Sequence, residues 1–239
     1  MRYYLIISLF ILNCILMGKE ITSKFSKEFL TSITMPVSLK YHIYLPDNYH
    51  ASNANFPLVL FLHGAGERGD DLRLVELHGI PKMINNGEEF PFITLAPQCP
   101  AFQWWSEPLY TKTLIYLVEE IIKNYNVDIE CVYATGLSMG GYGTLAIAKE
   151  RPDLFSAIIP VCGGMDTTEI EKLKDIPIWL FHGDSDKVVP VENSKLIYEI
   201  LKPINPDIKI TIYKGVDHNS WDITYSNKKI YDWMLEHKK

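Results

Sequence analysis

Long apolar runs are scarce in this chain. The longest, Tyr3 to Met17, falls short of the roughly 20 residues a membrane-spanning helix needs. Arg2 precedes it, and Lys19 and Glu20 close it, so it reads as the apolar core of an export signal over residues 1–18. Ile11-Leu12-Asn13-Cys14 also resembles a bacterial lipobox, with Asn13 where a small residue is usual. The expected location is therefore secreted or periplasmic, and a lipid at Cys14 is the one membrane attachment expected. Cysteine is sparse as well. Besides Cys14 there are Cys99, Cys131 and Cys162, with no CxxC spacing of the zinc-ribbon or redox type. Cys131 and Cys162 lie in apolar strand-like runs, where a buried free thiol is expected. Concentrated positive charge is missing too, and the net charge is −6, which excludes nucleic acid as a partner. No GKS or GKT follows the early glycine-rich segment, so that segment is not a phosphate loop.

Apolar material for a core is plentiful. Of 239 residues, 47% are hydrophobic and 12% aromatic, enough for one enzyme-sized domain. Residues 19–34 are mixed and polar, with an edge strand expected near Phe29–Thr34, and residues 35–239 form the expected catalytic domain. Val37 to Leu45 alternates like a half-buried strand, whereas Pro57 to Leu62 is continuously apolar, like a strand covered on both faces. Strands over Phe92–Ala96, Glu130–Thr135, Ala157–Val161, Ile178–Phe181 and Ile208–Tyr213 then alternate with helical spacing over Tyr110–Tyr125, Ser138–Glu150, Glu192–Leu201 and Ile223–Glu236. This order predicts an α/β fold with a mostly parallel sheet and helices on both faces. No repeat, low-complexity tract or linker divides it.

The sharpest chemical signal is Gly136-Leu137-Ser138-Met139-Gly140, set between a strand and a helix. A tight strand-to-helix turn brings backbone segments too close for side chains at the flanking glycines. It also lifts the Ser138 hydroxyl above the sheet at a helix N-terminus. A serine hydroxyl is a weak nucleophile near neutral pH and needs a base, which in turn needs an orienting acid. In this arrangement the chain order is serine, acid, histidine. The acid falls in His182-Gly-Asp184-Ser-Asp186-Lys-Val-Val-Pro190. Asp186 is preferred because the following Val-Val-Pro can pack its loop, and Asp184 is left to close the turn. The base is His218, in the loop after the last strand. For the oxyanion, Met139 N–H follows the nucleophile, and Ala65 N–H, with Gly66 as the alternative, comes from His63-Gly-Ala-Gly-Glu-Arg-Gly69.

Taken together, FLHGAGERGDD, APQCP, GLSMGGYGT, FHGDSDKVVP and GVDHNSW resemble the bacterial "predicted peptidase" and phospholipase/carboxylesterase-like branch of the α/β-hydrolases. They are also similar to feruloyl and acetyl-xylan esterases and to dienelactone hydrolases, although the last use a cysteine where this chain has Ser138. The resemblance runs from about Val37 to the C-terminus. It implies a sheet of about eight strands, a triad on Ser138, Asp186 and His218, and neither metal nor cofactor. The expected activity is hydrolysis of small-molecule or carbohydrate-linked carboxylic esters through an acyl-enzyme. A serine peptidase of the prolyl-oligopeptidase-like type, or a non-catalytic binding protein on the same fold, are the alternatives. Trp104, Trp105 and Trp221 fall in loops at the catalytic edge and are candidate faces for a sugar or phenolic ring.

Overall fold

Phe56–Leu62 (β2) is buried along nearly its whole length, and its two faces feed two cores. Leu58, Leu60 and Leu62 point to one side, and Val59 and Phe61 to the other, as the two-residue period of a strand requires. The computed structural model describes residues 36–239, and residues 37–239 pack as one compact unit. The expected signal, Cys14 and the edge strand at 29–34 lie outside the described residues.

Around β2 the sheet is built from Tyr41–Tyr44 (β1), Ile93–Pro97 (β3), Val127–Leu137 (β4), Ala157–Val161 (β5), Ile178–Gly183 (β6) and Ile208–Tyr213 (β7). The spatial order is β1-β3-β2-β4-β5-β6-β7, with β1 antiparallel and every other pairing parallel. Seven strands are thus present among the described residues, where about eight were expected.

The helices are Gly79–Asn85 (α1), Pro108–Asn124 (α2), Met139–Glu150 (α3), Glu192–Leu201 (α4), Trp221–Tyr225 (α5) and Lys229–Glu236 (α6). Leu114 and Val118 of α2, Leu145 of α3 and Ile197 of α4 share the core of Leu58 and Leu60. Ile80 of α1, Tyr225 of α5 and Trp233 of α6 share that of Val59 and Phe61. Truncating one such leucine to alanine costs about 2–5 kcal/mol, a large part of a domain's stability.

Local differences from the expected elements have visible causes. The helix expected over Ile223–Glu236 is two, because Asn227 interrupts it: its N–H bonds the Thr224 carbonyl and its side chain caps the Lys229 N–H at 3.2 Å. β4 begins at Val127, earlier than the Glu130 expected, because Val127 pairs with Phe56 across a register shift. Only Tyr41–Tyr44 of the alternating segment pairs as a strand, on β3.

Candidate active site

Ser138 sits between β4 and α3 with φ 52° and ψ −115°, a conformation that costs a non-glycine residue on the order of 1–3 kcal/mol. The glycines beside it make that turn possible. A Cβ at Gly136 would lie 2.5 Å from the Gly140 carbonyl oxygen, and one at Gly140 would run into the carbonyl of Leu62. The turn is pinned where the Ser138 N–H donates to the Val161 carbonyl at 2.9 Å.

Two loops at the carboxyl ends of β6 and β7 complete the site, the edge where ligand-facing residues collect in open parallel sheets. His218 Nε2 lies 2.9 Å from Ser138 Oγ, and His218 Nδ1 lies 2.7 Å from Asp186 Oδ2. A carboxylate only accepts, so the Nδ1–H donates to Asp186 and Nε2 is left to accept the serine proton. Asp186 is held from behind. Its Oδ1 accepts the N–H groups of Val188 at 2.8 Å and Val189 at 2.9 Å, the packing segment read in the sequence. Burial pushes the Asp186 carboxyl up, but the His218 hydrogen bond and the Val189 and Val188 amides outweigh it and hold it below its ordinary value. Asp184 closes the turn, accepting the Gly215 N–H at 2.6 Å and the Ser185 hydroxyl at 2.9 Å.

Sequence reasoning passed over two histidines that the fold uses. Each begins a His-Gly pair at the carboxyl end of a strand, and that repetition is the signal that marks them. His182 Nε2 lies 2.9 Å from the Val189 carbonyl and 3.2 Å from Asp186 Oδ2, while its Nδ1 meets the Ser194 hydroxyl at 2.7 Å. With two acceptors at Nε2, that nitrogen carries the proton, and burial lowers the ring's pKa. His63 ends β2. Its Nε2 accepts the Cys99 N–H at 2.9 Å, so its Nδ1–H donates to the Gly64 carbonyl at 2.6 Å. Burial brings His63 down to about 4, which keeps it neutral.

That last bond reaches the candidate oxyanion donors. The Gly64 carbonyl and the Ala65 N–H belong to one peptide plane, so His63 sets the direction of both. Neither the Ala65 N–H nor the Met139 N–H, at the first position of α3, has a backbone acceptor among the described residues.

The three tryptophans part ways. Trp221 is half-buried, edge-on to the His218 ring at 5.3 Å. Together with His218, Lys187 and Val188 it lines an open groove of about 480 Å³. Trp104 is exposed, with the Arg68 guanidinium 5.0 Å from its ring centre. The expectation for Trp105 is corrected: it is wholly buried, packed against Gly143, and its indole N–H donates to the His63 carbonyl at 3.2 Å. Its ring supports the loop from within and offers no face to a substrate. Cys162, with φ 40°, is buried beside the site, and burial pushes its thiol up to about 12. Its sulfur, an Asp186 oxygen and a His218 nitrogen lie within 4.8 Å of one another, the one grouping with metal-ligand chemistry among the described residues. The thiol is neutral there, and the imidazole and carboxylate are already bonded to each other.

A mostly parallel sheet with a serine raised on a strained strand–helix turn, an imidazole bonded to it and a carboxylate behind defines the α/β-hydrolase class. Residues 108–229, just over half of the chain, match the phospholipase/carboxylesterase family, and the chain belongs to it. A thermostable esterase of known structure is 37% identical, with a TM-score of 0.73 over 85% of this chain and 60% of that one. The bifunctional acetylxylan esterase/xylanase XynS20E of Neocallimastix patriciarum is 26% identical over 62% of this chain and 21% of its own length. Est1E from Butyrivibrio proteoclasticus shares the fold at 17% identity and a TM-score of 0.61, over 83% of this chain and 93% of that one. This chain spans between 21% and 42% of the length of the first three curated relatives it matches.

Proposed function

We propose that this protein is a serine carboxylesterase that works through an acyl-enzyme, with Ser138 as nucleophile, His218 as base and Asp186 as orienting acid. The observation that carries the reading is the continuous bonding of His218 to both Ser138 and Asp186, at 2.9 Å and 2.7 Å. In the first half-reaction the Ser138 hydroxyl gives its proton to His218 Nε2 while its oxygen bonds to the acyl carbon. The tetrahedral oxyanion is met by the N–H groups of Ala65 and Met139. His218 then passes the proton to the departing alkoxide as the ester C–O bond breaks, and an alcohol leaves. In the second half-reaction water takes the alcohol's place, His218 accepts its proton, and the carboxylic acid departs with Ser138 restored.

Esters of short acyl groups or of carbohydrates are the proposed substrates. The groove beside His218 is open, and Trp221 gives it an aromatic wall. The acetylxylan esterase relative supports the same class. The test is a fluorophosphonate probe together with a panel of acetyl, feruloyl and aminoacyl-amide substrates. One probe per chain and ester turnover exceeding amide turnover are expected, both abolished by Ser138→Ala. A folded protein that the probe leaves unlabelled would sink the reading.

A further inference from the structure

Glu67 is the third residue of the turn that offers the Ala65 N–H, and it is the one acid of that turn. It is buried, with its side chain 9% exposed, yet its Oε2 has no hydrogen-bond partner among the described residues. A buried carboxyl is costly, and one left without a partner calls for a reason. Its surroundings supply one. Oε2 lies 3.1 Å from the point a Cβ on Gly64 would occupy, so the carboxyl is packed against the Gly64 Cα. Its backbone joins the same turn, with the Glu67 N–H donating to the Gly64 carbonyl at 3.4 Å and its carbonyl accepting the Gln98 amide at 2.9 Å.

The carboxyl also heads a row of rings that crosses to the base. Glu67 Oε1 lies 3.8 Å from His78 Nε2, the His78 ring is edge-on to Trp221 at 5.5 Å, and Trp221 is edge-on to His218 at 5.3 Å. His63 Nδ1, which holds the Gly64 carbonyl, is 3.9 Å from Oε2. Glu67 thus touches the Gly64 turn from within and leads toward the base loop.

Resting on the esterase reading above, we propose that Glu67 is a positioning residue: its carboxyl fixes the Gly64–Ala65 peptide so that the Ala65 N–H points at the oxyanion. It acts through shape, as a buried side chain packed on the Gly64 Cα. Burial raises its pKa above the ordinary carboxylate value.

The experiment compares Glu67→Ala, Glu67→Asp and Glu67→Gln on one acetyl ester. It reads kcat and KM separately, with thermal unfolding as a control. Aspartate is one methylene too short to reach Gly64, and glutamine keeps both the reach and the shape. Glu67→Ala and Glu67→Asp are expected to lower kcat about 30-fold or more, with KM within threefold of wild type, because an oxyanion donor acts on the transition state. Glu67→Gln is expected to stay within fivefold of wild type in kcat. A trifluoromethyl ketone, which forms an oxyanion adduct on Ser138, is expected to bind Glu67→Asp more weakly by the same factor as the kcat loss. Wild-type kcat in Glu67→Asp would overturn the proposal, as would losses in Glu67→Gln equal to those in Glu67→Asp. Should Glu67→Ala fail to fold, the other two variants still decide. A wild-type protein with no ester turnover would overturn the esterase reading itself, and the proposal with it. An active wild type with an indifferent Glu67→Asp removes the proposal alone.

Discussion

The position of one proton decides what His218 can do. Asp186 Oδ2 holds the proton on Nδ1, which leaves Nε2 bare toward Ser138. An asparagine in place of Asp186 would be nearly isosteric but could offer its own N–H to Nδ1, favouring the other tautomer and removing the acceptor that Ser138 needs. Asp186→Asn is therefore expected to lower kcat/KM by roughly 10³–10⁴ while leaving the fold intact, as checked by steady-state kinetics beside circular dichroism. A loss under tenfold would mean that His218 keeps its tautomer without help. Asp186 was legible in the sequence because the Val-Val-Pro segment after it announced a packed loop, and its two amides are the bonds that segment makes. Glu67 was not legible in the same way: nothing in GAGERG says that its acid turns inward while the neighbouring Arg68 turns out to Trp104.

At the scale of elements, the β4–α3 junction is a close crossing of three backbone segments. Gly136 faces Gly140, and both lie against the carbonyl of Leu62 at the end of β2. The motif could be read from sequence because only glycine tolerates this approach, whereas the partner strand it leans on could not. Gly140→Ala would force α3 away from β2. We expect it to lower the unfolding free energy by about 1–3 kcal/mol in urea titrations and to cost activity beyond what lost stability explains. Full stability with full activity would show that the junction can relax. The strands Ala157–Val161 and Ile208–Tyr213 and the helix Glu192–Leu201 fall where periodicity places them, since each is a single uninterrupted pattern. The last helix did not, because Asn227 caps a new helix in the middle of an apolar pattern that continues through it. The short α1 was not anticipated either: Gly79 opens it with φ 62°, and its seven residues are too few for a clear period.

For the molecule as a whole, the buried titratable groups set a pH range. His63 has a folded value near 4 against an ordinary 6.5, and His182 is lowered in the same direction, both through burial. Such groups take up protons more readily when the chain unfolds. Their stabilising effect is complete above about 6.5 and is lost as pH falls toward the folded value. The depressed Asp186 adds to the loss only below the ordinary carboxylate range. Unfolding free energy measured in urea is expected to be about 2–3 kcal/mol lower at pH 4.5 than at pH 7 on account of His63 alone. A profile flat across that interval would contradict a neutral, buried His63. The α/β class and the parallel sheet were legible, since each leaves a local pattern, and the motifs holding Ser138, Asp186 and His218 stand in the sequence in the order in which the fold brings them together. Trp105 was misread because its exposure depends on the approach of Gly143, far away in sequence.

The proposed nucleophile and base are 80 positions apart, and they hang from separate strands, β4 and β7. As the chain is synthesised, the serine turn can form once α3 has emerged, with its proton still having nowhere to go. On the proposed mechanism, hydrolytic capacity would arrive only when the seventh strand docks on the sheet edge and brings its loop back over the top. On that reading every shorter nascent form is expected to be inert towards esters, and the appearance of turnover would mark the moment at which the sheet is finished.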